Sequence, residues 1–157
     1  MGKTIMGRAL LLGFFAMVVA CAVSPDSARY AETMERHRAD AETQRMAGEL
    51  VEAEAILVRA TALEMPAGSG PLALRQDAFF AHGRVLFERR RFDAAIQIAD
   101  RALALGQEPT MFVANLYALR GLAQEALGNI QAAATDLEQA QVVHTVLFAL
   151  ALSEGTK

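Results

Sequence analysis

Among side chains able to act as nucleophiles or to hold a metal, the chain offers one thiol, Cys21, and three imidazoles, His37, His82 and His144. A zinc site needs several such ligands at matched spacings, and here there is no HExxH pair and no second cysteine to complete a set. The GSG within PAGSGP, Pro66 to Pro71, is a poor phosphate cradle: it lies between prolines and lacks the lysine that such a loop requires. No G-x-S-x-G marks a serine nucleophile. The run Arg89, Arg90, Arg91 falls at a helical turn and reads as a solvated corner, with an anionic lipid or acidic partner as the sharper alternative. No catalytic residue, metal or cofactor is expected, and the remaining chemistry is that of one thiol.

Cys21 stands at the end of the longest apolar run, which extends back to Ala9, and Arg8 and Lys3 form a short basic head before it. That is the layout of a secretory signal peptide. About 12 apolar residues fall short of the roughly 20 needed to cross a bilayer, so a permanent membrane span is disfavoured. Val18, Val19, Ala20 and Cys21 resemble the lipobox of bacterial lipoproteins. The resemblance implies cleavage after residue 20, a diacylglycerol on the Cys21 sulfur and a lipid-anchored protein. An ordinary signal peptide or a short signal anchor is the alternative. Ala22 stands where Asp would imply retention in the inner membrane, so the resemblance points to the outer membrane, facing the periplasm. Without residues 1–20 the chain keeps 137 residues with 13 basic and 18 acidic side chains, which argues against nucleic acid as partner. Its one cysteine taken by lipid, it has no internal disulfide and must rely on packing.

After a short polar tether, residues 21–26, the remainder through residue 157 reads as one helical domain. Asp26 and Ser27 are good N-cap types, and later prolines fall in breaks, PAGSGP and GQEP. The fold class is all-α. A repeat is also present: Gly83, Phe92, Ala95 and Ala102 recur 38 residues later as Gly121, Ile130, Ala133 and Ala140, and Leu50, Ala53 and Ala60 precede Phe92, Ala95 and Ala102 by 42. With Tyr117, Gly121, Gly128, Ile130, Ala133, Leu137 and Ala140, the last unit resembles the tetratricopeptide repeat, in which small residues let two antiparallel helices approach. Arg90 departs from the pattern where Gly is usual at the turn, and Arg120 and Gln124 also depart. The resemblance implies a right-handed α-solenoid of about three helix-turn-helix repeats, near residues 28–65, 76–107 and 114–145, followed by a short C-terminal helix over 146–153.

Such a solenoid presents a concave groove to a segment of another protein. Transferred onto this sequence, the family's groove positions include Arg38, Phe80, Arg84, Phe87, Leu122 and Glu125. Apolar anchors beside two arginines imply a partner segment that is partly apolar and partly acidic, although Phe80 and Phe87 read equally well as core. The clamp with which some family members grip acidic chaperone tails is missing, since Glu42, Ala81 and Leu119 occupy its slots. The apolar tail Val146 to Leu152 either buries beneath the last helix, the favoured reading, or forms a contact such as a homodimer. The expected role is a membrane-anchored adaptor or assembly factor for an envelope complex. An accessory subunit regulating a cell-wall or metabolic enzyme is the alternative.

Overall fold

A computed structural model describes residues 24–154. Cys21, the signal-like segment and the first half of the expected tether lie outside the described residues. Among those described the fold is all-α, six helices with no strand: α1 Pro25–Met46, α2 Leu50–Ala62, α3 Ser69–Glu88, α4 Phe92–Leu103, α5 Met111–Ala126 and α6 Ile130–Glu154.

The first helix opens earlier than Asp26 and Ser27 suggest. Ser24 is its N-cap, its hydroxyl accepting the Ser27 N–H at 3.1 Å, and Pro25 takes the first helical position, where its fixed φ suits the turn and its missing N–H costs nothing. Helix α3 likewise begins inside the expected PAGSGP break, because Pro71 is tolerated in a first turn. Thr110 caps α5 by accepting the Val113 N–H.

Each odd-numbered helix joins the next through the same tight turn. Gly48, Arg90 and Gly128 all have positive φ, 84°, 59° and 81°. Their N–H groups bond the carbonyls of Arg45, Phe87 and Glu125, and the next N–H groups, of Glu49, Arg91 and Asn129, reach those of Gln44, Leu86 and Gln124. This paired closure ends a helix in a left-handed residue and satisfies carbonyls that would otherwise be orphaned. The three turns stand 42 and 38 residues apart, the spacings visible in the sequence.

Each turn folds a helix back on its predecessor, giving the pairs α1–α2, α3–α4 and α5–α6. Across pairs, α1 touches α3 and α3 touches α5, while α2 packs on α3 and α4 on α5; among the described residues α2, α4 and α6 do not touch one another. The close approaches fall where the sequence is small. A β-carbon at Gly83 would overlap the Leu119 side chain of α5, and one at Gly121 would come within 3.0 Å of Leu137 and 3.2 Å of the Ala133 carbonyl on α6. Ala95, Ala99, Ala102, Ala114 and Ala123 are fully enclosed in the largest apolar cluster with Phe79, Leu86 and Leu116. Smaller clusters around Met34 and around Leu57 hold the first pair against α3.

The C-terminal tail differs from the expectation twice. Residues 146–153 are not a separate helix, since α6 runs unbroken from Ile130 to Glu154 with no glycine or proline to stop it. Nor is the tail buried: Leu147 packs on the main cluster, but Phe148 and Leu150 are 67% and 54% exposed.

A left-handed residue with a side chain carries a steric cost that glycine avoids. Arg90→Gly is therefore expected to raise stability by about 0.5–1 kcal/mol in urea unfolding. A loss of stability would show that the Arg90 side chain contributes more than its turn costs.

Candidate functional site

The expected groove residues of the first two helix pairs meet across the α1–α3 contact, and there the structure pairs charge with charge. On α1, Arg38, Glu42 and Arg45 follow one another at helical spacing; on α3 they face Asp77, Arg84 and Glu88. Arg38 pairs with Asp77 and Arg84 with Glu42. Arg45 grips Glu42 in two hydrogen bonds, at 2.7 and 2.9 Å, and reaches Glu88 at 2.8 Å. The result is a ladder of alternating sign. Arg38 and Arg84 are consequently not free cations awaiting an acidic partner; each already holds a carboxylate, and an incoming acid has to exchange with it. The hydrogen bond from Arg45 chiefly holds the Glu42 carboxyl below the usual range. Asp77 moves the other way, because its burial outweighs the attraction of Arg38, and Glu35 adds repulsion.

The remaining expected groove residues divide. Phe87 turns toward its own hairpin, meeting Phe92 edge-on with ring centroids 5.2 Å apart, and Phe80 is half-buried against the main cluster. Both contribute to packing. Leu122, 46% exposed, and Glu125 stand open on α5. Of the three apolar residues expected in the groove, Leu122 is the exposed one.

Three ionic arrangements escape sequence reasoning. Arg120 bonds Asp136 of α6 with two hydrogen bonds, at 2.8 and 2.6 Å, and Asp100 of α4 at 2.6 Å, joining three helices. These carboxylates push its already high pKa further up. A charged residue inside the apolar stretch YALRGLA was the available signal, but its partners are 16 and 20 residues away on other helices. Arg75 of α3 donates to the Tyr30 hydroxyl of α1 and to the Thr61 and Leu63 carbonyls at the end of α2. Arg89 and Arg91 both hold Glu54 of α2, so two members of the basic run are engaged and Arg90 alone projects from the turn.

Two cavities lie away from the ladder. One, an open depression of about 440 Å³, separates the start of α1 from the end of α2 and is lined by Tyr30, Thr33, Leu63 and Met65. The other, about 160 Å³, is bounded by Glu54, His82, Arg91, Gln97 and Arg101. His82 is buried at its edge with no hydrogen-bond partner for Nδ1. Desolvation, reinforced by Arg101 and Arg91, pushes its pKa down to about 4. The lowered pKa makes this imidazole a weak base, and the positive charge of Arg101 and Arg91 opposes a metal cation beside it. His37 and His144 stand on α1 and α6, and among the described residues no trio of His, Cys, Asp or Glu is placed to hold a metal.

No protein-family model matches the chain, and no curated protein matches it. Among the described residues no helix is long and apolar enough to cross a membrane.

Because native His82 takes up its proton near pH 4 and an unfolded imidazole near 6.5, unfolding binds a proton between those values. Its contribution to stability is complete above about pH 6.5 and falls as the solution is acidified, by at most about 3 kcal/mol. Urea unfolding of wild type and His82→Gln from pH 7 to pH 4 is expected to show a shallower pH slope in the variant; identical slopes would contradict the assignment.

Proposed function

We propose that the chain is a non-enzymatic adaptor, anchored to the bacterial outer membrane by lipid on Cys21 and facing the periplasm, that binds a segment of a partner protein. In this reading its helix pairs stack as a right-handed α-solenoid of three tetratricopeptide-like units, the first helices lining the concave side. The observation that carries it is the serial contact of α1 with α3 and α3 with α5 while α2, α4 and α6 remain apart, which gives the layer one face made of first helices. The three equivalent turns support the same reading. The partner segment lays an apolar group against Leu122 and presents polar groups to exposed Arg38, whose carboxylate partner Asp77 is buried, and to the half-exposed Glu42–Arg84 pair. Matched charges on the receiving face favour specificity over raw affinity.

Two experiments test the two halves. Metabolic labelling with a palmitate analogue is expected to mark the wild type and spare Cys21→Ser; an unlabelled wild type would overturn the anchor. Cross-linking in intact envelopes is expected to capture a partner with wild type and to lose it with Leu122→Asp, a substitution at an exposed site that leaves the core intact. Equal capture by both would remove Leu122 from the binding face.

A further inference from the structure

The start of α1 and the apolar end of α6 lie at the same end of the helical layer. Arg75, near the start of α3, touches both Tyr30 near the start of α1 and the end of α2. One residue on, the Gln76 amide donates to the Gly106 carbonyl just beyond α4 at 2.7 Å. Leu147 of α6 then packs on the cluster holding Leu103 at the end of α4 and Val113 at the start of α5. Because each tight turn folds its second helix back antiparallel, the starts of α1, α3 and α5 and the ends of α2, α4 and α6 fall at one end of the layer, although among the described helices α6 itself touches only α5.

Helix α6 also outruns its partner. Arg120 lies beside Asp136, and α5 begins nine residues before Arg120, so Met111 stands level with Thr145, nine residues after Asp136. Residues 146–154 project beyond α5, roughly 13 Å at 1.5 Å per residue. That projection bears Val146, Phe148 and Leu150, all exposed, and no charge before Glu154; Met111, also exposed, stands near its base.

We propose that this projecting end of α6 is a second membrane contact, seated in the interfacial zone of the same bilayer that holds the Cys21 lipid. The inference rests on the lipid-anchor reading. Cys21 stands three positions before Ser24, a reach of at most about 11 Å that is comparable to the length of the projection, so a lipid at Cys21 keeps this end of the molecule at the bilayer. Before its last turn a helix satisfies its own backbone polar groups, so Val146, Phe148 and Leu150 can meet acyl chains with apolar side chains. The occupant is lipid of neutral headgroup, because Asp26, Glu64, Glu108 and Glu154 at this end are matched by Arg29, Arg59, Arg75 and Arg101 and leave no net positive charge to draw an anionic surface. An acyl anchor gains residence from such a second signal.

The natural chain contains no tryptophan, so a single one reports its own surroundings. The chain from residue 21 onward, its Cys21 coupled to a maleimide lipid in phosphatidylcholine vesicles, is made as Phe148→Trp and, for comparison, as Ile130→Trp at the opposite end of α6. With brominated acyl chains, Phe148→Trp is expected to shift to the blue and lose most of its emission, while Ile130→Trp keeps its own. Equal emission from both variants would overturn the second contact, and a dimer in sedimentation with Phe148→Trp unquenched would assign the projection to a second copy instead. Failure of palmitate labelling in the native protein strikes the anchor reading, whereas failure of quenching on a chemically anchored chain strikes only this inference.

Discussion

A β-carbon at position 83 would overlap the tip of the Leu119 side chain of α5, which would have to turn aside for the third helix pair to stay as near the second as it does. Protein interiors are packed to crystal-like density, so an approach of this kind either fits or forces the neighbours apart. Gly121 serves the same purpose between α5 and α6, with Leu137 and the Ala133 carbonyl just clear of it. Because α3 touches both α1 and α5, displacing α5 would also break the serial face on which the proposed binding surface depends.

Charge does the complementary work. The small residues bring helices together without choosing a register along their axes, whereas ion pairs between helices are satisfied in one register only. The Arg38, Glu42 and Arg45 ladder aligns α1 with α3, and Arg120 aligns α4, α5 and α6 through Asp100 and the buried Asp136. Half-exposed pairs in the ladder add little stability, but Asp136 without Arg120 would be a buried charge with no counterion. The two ends of the molecule differ as well. One carries the tight turns and the arginine corner held by Glu54; the other carries the start of α1, the larger depression and the projecting apolar helix.

The all-α class and the paired helices could be read from the sequence because prolines and repeated small residues mark breaks and close approaches locally. Gly83 and Gly121, matched by spacing alone, both turn out to sit under a leucine. Even Arg90, a departure from the expected glycine, adopts the left-handed conformation its position requires. What could not be read depends on register between helices. Nothing local in Arg38 or Arg84 announces that a carboxylate lies opposite, and the exposed aspect of Phe80 and Phe87 depends on how α4 and α5 lean. The tail shows the same limit: its composition argues for burial, but burial needs a partner of equal length, and α5 ends nine residues short. The expected break before residue 146 came from family habit, while the local sequence held no stop.

The account stands on the fit between Gly83 and Leu119, and a double-mutant cycle in urea measures it directly. Gly83→Val alone is expected to cost about 2 kcal/mol by overpacking, and Leu119→Ala alone about 2–4 kcal/mol by leaving a cavity. Together the valine fills the space the leucine vacates, and the combined cost is expected to fall short of the sum by at least about 1 kcal/mol. Costs that simply add would show that α3 and α5 do not meet there, and the serial face built on that contact would go with it.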